Sequence, residues 1–442
     1  MLRGLQRISI YNILRWRAAP LVLTNPNRIR IDISSNSRYL KQLYSSVNNN
    51  LRNSVTTTDQ AKLKIDLNSE TIKLVFDEVS VVQCPFVWLR DNCHCSSCYE
   101  LSSGQKQNLL ENLDLDIHPL NATIKDQSVI VNWSDKHVSE YPLSWLRDVK
   151  FPAATDPEDE RRYWGSEMTK SKVSTFSYND IMSDKSSLHS WLLSLHTDGI
   201  TIVNDLGSDD KNLVRLANMV THPRTTCHGV DFGIKPNTLD PTNLGYTGNR
   251  LGLHTDLVYY SFVPGVLVLH CITMSEDGGL SEFADGFKVA YDLQKEDPET
   301  FDVLSRVPLA YLDDGVHGMS KTNYILMHQK PIIRLKENSE IKQISLGYPH
   351  LNSRMSVGIE DVKKVYKAMK TFYTALYKKE NLVSFKLHPG EAVCIDNTRI
   401  LHGRSKFTIP QGCQTPRHVQ GIYMDWDEIY SRMRGIRPIH VY

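Results

Sequence analysis

The sequence predicts a mainly β protein with decorating helices: a small N-terminal β domain followed by a larger, mostly antiparallel one. Three observations carry this expectation. Short β-branched runs separated by polar turns recur along the chain. Helical i, i+3, i+4 apolar spacing is confined to a few segments, and no long internal period repeats.

In chain order, "KLKIDL", "TIKLVF", "VSVVQCPFVWL" and, at 128–133, "SVIVNW" read as the strands of a small domain over residues 60–149. The stretch 150–183 lacks apolar periodicity and reads as a linker. A larger domain is expected over 184–442. Its helices fall near 186–197, 209–220, 287–296, 359–379 and 426–434, and its strands include 265–274 and 391–397. The echo of "VWLRDN" (87–92) in "SWLRDV" (144–149) is short enough to be chance.

At 442 residues, 40% apolar and 23% charged, the composition is ordinary for a globular protein and excludes a globally disordered, collagenous or coiled-coil chain. A net charge of +1 gives no general pull toward nucleic acid. No window reaches the roughly 18 consecutive apolar residues of a membrane span. The charge is unevenly spread, because residues 1–50 carry seven Arg and one Lys against Asp32 alone. Leu2, Leu5, Ile8, Ile13 and Trp16 share one arc of a helical wheel, opposite Arg3, Arg7, Arg15 and Arg17, with Ile10 and Leu14 as exceptions on the arginine side, and Ser/Asn-rich sequence follows. This pattern matches a mitochondrial transit peptide over residues 1–55, hence a matrix location with the cytoplasm as second choice.

"DNCHCSSCYE" places Cys93, Cys95 and Cys98 within six residues. Three thiolates so close can converge on one soft cation, and tetrahedral zinc then needs a fourth N or S ligand. His94, Cys84 and a distant histidine are candidates. His137 is attractive because it follows the "VIVNW" strand, which can return the chain to the cluster. Zinc with all four positions filled is structural.

"RLGLHTDLVYY" contains His254-x-Asp256; in an extended segment, residues i and i+2 face the same side. With His402 in "CIDNTRILHGRS" they form a two-histidine, one-carboxylate set of the kind used by non-haem Fe(II) oxygenases. Arg417 follows 15 residues later. A guanidinium there suits the far carboxylate of a 2-oxoglutarate cosubstrate.

The motifs "WLRDNCHCSSCY", "NWSDKHVSEY", "YTGNRLGLHTD", "GGLSEFADGF", "DNTRILHGR" and "RHVQGIYMDWD" together resemble the gamma-butyrobetaine dioxygenase and trimethyllysine dioxygenase family of carnitine biosynthesis, with details closer to the first. The resemblance runs from about residue 65 to the C-terminus. It implies a double-stranded β-helix (jelly-roll) core, Fe(II), 2-oxoglutarate, O2, accessory ascorbate and a homodimer. It carries zinc to Cys93, Cys95, Cys98 and His137, iron to His254, Asp256 and His402, and the cosubstrate carboxylate to Arg417. It also implies an aromatic cage for a trimethylammonium group, with Tyr246 and Tyr423 at cage positions and Asn243 touching the substrate carboxylate. Cation–π attraction needs only the ring face, so the Tyr423 hydroxyl is expected to be incidental. Phe232 stands where the family has Trp, Leu257 where it has Tyr, His228 in place of another Tyr, and "SLGYPHLNSR" lacks an expected asparagine pair. The implied reaction is hydroxylation of gamma-butyrobetaine to L-carnitine. Trimethyllysine hydroxylation is the near alternative, and its extra amino-acid end requires an acidic or carbonyl partner. A non-catalytic, zinc-dependent interaction protein is the distant one.

Overall fold

The computed structural model describes residues 61–77, 80–151, 160–236, 244–408 and 417–436. They fall into two compact units that part between Thr155 and Asp156. The basic extension, with its transit-peptide expectation, lies outside the described residues, as does Asn243. Among the described residues no helix is long and apolar enough to cross a membrane.

The smaller unit holds two three-stranded antiparallel sheets, Lys62–Asp66, Thr71–Val75, Val81–Pro85 and Pro119–Lys125, Ser128–Trp133, Val138–Pro142. Strand alternation turns Ile72 and Leu74 inward, against Trp133, Tyr141, Phe86 and Leu89. The buried polar tips are satisfied: Trp133 Nε1 donates to Ser139 Oγ (2.9 Å) and Tyr141 Oη to the Leu89 carbonyl (2.5 Å). The expected strand "VSVVQCPFVWL" stops at Pro85 and becomes a helix, Phe86–Asp91. Proline has no N–H for the ladder, and Phe86 and Leu89, one helical turn apart, enter the core. Val138–Pro142 leads in the same way into the helix Leu143–Arg147, burying Leu143 and Leu146. The short echo at 87–92 and 144–149 is therefore one strand–proline–helix corner used twice, and Trp88 stacks on Trp145 at 5.3 Å between them.

The larger unit pairs a six-stranded sheet with a four-stranded one, the double-sheet layout of a jelly roll. The first runs in the order Asp231–Ile234, His418–Met424, Val266–Thr273, Ala392–Asp396, Ile200–Asn204, Thr175–Ser177. The second runs Leu251–His254, Ile400–Arg404, Ser281–Asp285, Val383–Phe385. The inner strands of the six-stranded sheet are buried on both faces, which explains their unbroken apolar runs. Val266 and Val268 meet Trp191, Leu192 and Leu216 of the covering helices Lys185–Asp198 and Lys211–Val220, whereas Leu267, Val393 and Ile395 belong to the core with Leu253, Phe283 and Leu401 of the opposite sheet. Lys185–Asp198 has both punctuation marks of a helix, since the Asp184 side chain accepts from Ser187 N and Gly199 closes the end at φ 73°.

Two expectations are corrected here. Residues 160–183 belong to the larger unit. Trp164, Val173 and Ile181 are buried, and Trp164 Nε1 donates to the Asp198 carbonyl at 2.6 Å. The segment lacks periodicity because isolated anchors, not one face, are buried. A helix at Pro298–Arg306 also escaped the periodicity reading, although its start signal is plain: Asp297 caps Thr300 N and Pro298 occupies the first turn.

Candidate active site and zinc cluster

In the smaller unit, the ligand atoms of Cys93, Cys95, Cys98 and His137 all lie within 4.8 Å of one another. His137 Nε2 is 3.3, 3.5 and 3.6 Å from the three Sγ atoms. Burial, then the Arg90 charge, lowers the His137 pKa, in the direction of the neutral ring that metal ligation needs. Ser97 hydrogen bonds outweigh burial at Cys95 and bring its thiol to about 7. Arg90 donates to Cys98 Sγ (3.4 Å) and to Asp135 Oδ2 (2.8 Å), while Asp135 Oδ1 accepts the His137 N–H (2.9 Å). One guanidinium thus braces both ligand-bearing segments. His94 turns away onto Tyr99 and Trp145, and Cys84 is buried in the hydrophobic core outside the cluster. The donor set, three sulfurs and a nitrogen, fits tetrahedral zinc.

In the larger unit, the strands Leu251–His254 and Ile400–Arg404 pair antiparallel with His254 opposite His402, so both rings leave the same face, 4.3 Å apart. His254 Nδ1 donates to the Gly252 carbonyl (2.9 Å), which leaves Nε2 as the free lone pair. Asp256 Oδ1 lies 3.2 Å from His254 Nε2 and 3.7 Å from His402 Nε2. Burial would raise the Asp256 pKa, but the two histidines and the Tyr423 hydroxyl outweigh it and hold the carboxylate ionised. Burial, then the His254 ring, pushes His402 down to about 4. Two imidazole nitrogens and one carboxylate oxygen converge, all within 4.8 Å; they could hold Fe(II) and leave other positions open.

These residues line a cavity of about 490 Å³, the size of an ordinary small-molecule site. Arg417 also lines it, buried and with no carboxylate partner among the described residues; its Nε has no hydrogen-bond partner there. Burial brings its pKa down to about 10. A buried guanidinium with an unpaired Nε on a cavity wall could pair with an incoming carboxylate. Tyr246, Tyr423, Phe232, Leu257 and His228 line the same cavity. Phe232 stacks on Tyr423 at 5.2 Å, and His228 sits 5.6 Å from Phe232. Phe232 has that place because Gly421, opposite it in the ladder, has no Cβ; one would lie 2.3 Å from the Phe232 ring.

Sequence reasoning missed three further groups. Asn397 grips the Asp256 backbone from both sides: its Oδ1 accepts the Asp256 N–H (2.7 Å) and its Nδ2 donates to the Asp256 carbonyl (3.2 Å). Arg404 donates to the carbonyls of Gly245 (3.0 Å), Thr247 (2.6 Å) and Asn249 (2.8 Å), bracketing Tyr246. Its place two residues after His402 in a strand was the available signal. Asp313 and Asp314 also line the cavity. The Tyr423 hydroxyl, expected to be incidental, donates to Asp256 Oδ2 at 2.8 Å.

Residues 156–423 match the taurine catabolism dioxygenase TauD, TfdA family, and residues 63–148 match the gamma-butyrobetaine hydroxylase-like N-terminal domain. The gamma-butyrobetaine dioxygenase of Homo sapiens is 31% identical over 360 residues, 80% of this chain and 91% of the relative. The mitochondrial trimethyllysine dioxygenase of Rattus norvegicus is 27% identical over 80% of this chain and 83% of its own. A solved structure of asparagine oxygenase with Fe(II) is 17% identical over 57% of this chain and 83% of its own, at a TM-score of 0.42. With a matching catalytic domain, a matching N-terminal domain and a relative above 30% identity along most of both lengths, the chain belongs to the TauD, TfdA family of Fe(II)- and 2-oxoglutarate-dependent dioxygenases.

Proposed function

We propose that this dioxygenase hydroxylates gamma-butyrobetaine to L-carnitine, with 2-oxoglutarate and O2 consumed and succinate and CO2 released. The observation that carries the reading is one cavity holding the His254, Asp256 and His402 donors, a buried Arg417 with no carboxylate partner among the described residues, and a tyrosine-rich wall. Fe(II) held by those donors supplies the redox chemistry. The chain's own residues do the rest. Arg417 pairs with the far carboxylate of 2-oxoglutarate, and burial strengthens that pair. Tyr246 and Tyr423 offer ring faces to the trimethylammonium group, which no hydrogen bond can hold. Asn243 is assigned to the substrate carboxylate on the resemblance. The zinc cluster is assigned a structural role, and the assembly a homodimer with ascorbate as accessory reductant. The basic extension and a relative named as mitochondrial support a mitochondrial address.

Trimethyllysine gains support from one observation: Asp313 and Asp314 line the cavity and could take its α-ammonium group. The deciding experiment offers the iron-loaded protein both amines and measures, by mass spectrometry, oxygen gain by each alongside succinate. Hydroxylation of gamma-butyrobetaine in preference to trimethyllysine is expected; the reverse preference would transfer the assignment.

A further inference from the structure

The two oxygens of Asp256 face different neighbours. Oδ1 points at His254 Nε2 and His402 Nε2, whereas Oδ2 accepts the Tyr423 hydroxyl at 2.8 Å. Asp256 follows the edge strand of the four-stranded sheet, and Tyr423 sits in the strand His418–Met424 of the six-stranded sheet, paired with Leu267. The bond therefore ties the two sheets together at the metal donors. The phenol has little freedom to leave: Tyr423 is 2% exposed, and Phe232 stacks on its ring at an interplanar angle of 23°. Asn397 holds the Asp256 backbone at the other end.

We propose that Tyr423 is a positioning residue for the metal-binding carboxylate: its hydroxyl occupies Oδ2, so that Asp256 offers the metal one oxygen only. The inference rests on reading the triad as the Fe(II) site. A six-coordinate ion with two histidines and one carboxylate oxygen keeps three positions for cosubstrate and O2. A carboxylate using both oxygens would take one of them. Tyr423 thus serves the substrate wall through its ring and the metal through its hydroxyl. Arg404 and Tyr246 make no hydrogen bond to Asp256 and lack this double role.

The test uses Mn(II) as probe with the full-length protein and reads the relaxation of water protons per bound ion, which counts exchangeable waters on the metal. Wild type should show an enhancement that Asp256→Ala removes. Tyr423→Phe keeps the ring, its volume and its stack on Phe232, and should still bind Mn(II). Its relaxation per ion should fall by about a third, as one of three open positions is lost, and its affinity for 2-oxoglutarate should weaken several-fold. Tyr366→Phe, on the exposed side of the helix Val362–Leu376 and outside the cavity, should show the wild-type relaxation. Wild-type relaxation in Tyr423→Phe would overturn the inference while leaving the iron-site reading standing, and so would loss of Mn(II) from that variant. Absence of any enhancement removable by Asp256→Ala would instead overturn the iron-site reading itself.

Discussion

The cysteine cluster and the His254 triad are both metal-type constellations, yet they are built in opposite ways. Three of the four cluster ligands come from one six-residue turn, and the donors surround the centre. The triad draws on two paired strands of a sheet and presents three donors on one side. The charge balance differs too. Three thiolates around a divalent ion leave a net −1, and Arg90 lies against Cys98 to offset it. One carboxylate around a divalent ion leaves a net +1, and Arg417 adds to the positive field where a dianionic cosubstrate would bind. A site that only holds a metal can close on itself by local chain geometry. A site that reacts must stay open on one side, so its donors need a rigid scaffold behind them.

The sharpest way to break the comparison is to remove one donor from each. Asp256→Ala should abolish succinate release and leave about one zinc per chain, as measured by metal analysis; loss of zinc as well would show that the two centres are not independent. Cys95→Ser should lower zinc content and destabilise the smaller unit by several kcal/mol, because structural zinc contributes directly to folding free energy. Thermal unfolding should show an earlier transition, and an unchanged profile would mean that the cluster is held without metal.

A smaller effect is expected on the substrate wall. Tyr246→Ala should raise KM for a quaternary ammonium substrate by some 30-fold, about 2 kcal/mol for a buried cation–π contact. A neutral tert-butyl analogue should bind wild type poorly and lose little more in that variant. Equal binding of the neutral analogue and the cation would refute charge recognition. Smallest of all, Arg417→Lys keeps the charge but loses the planar fork, so KM for 2-oxoglutarate should rise about tenfold while the Mn(II) affinity of the triad is unchanged. A parallel fall in metal affinity would place Arg417 in the wrong role.

The Tyr423 result changes how one substitution is read. From cation–π reasoning alone, Tyr423→Phe should be nearly silent, because the ring face survives. The hydrogen bond to Asp256 Oδ2 makes the hydroxyl a separate variable. Tyr246→Ala is therefore the cleaner probe of the proposed cage.

Much of the chemistry was legible in the residues. The Cys93, Cys95, Cys98 spacing and the His254-x-Asp256 pair are short-range patterns, set by turn geometry and by the two-residue period of an extended chain. The strands Val266–Thr273 and Ala392–Asp396 declared themselves as apolar runs because both their faces are covered. The corner at Pro85 was misread because a strand run and a short buried helix have the same composition, and only core packing of Phe86 and Leu89 separates them.

What the sequence by itself determined, then, are the two candidate metal-binding motifs and the strand-rich character. What only the tertiary structure decided are the Asn397 clamp, the Tyr423 hydroxyl on Asp256 and the seating of Arg404 around Tyr246. These bonds join residues 141, 167 and up to 159 positions apart. The register between strands sets them, and that register is fixed by the whole core at once, so no local pattern announces it.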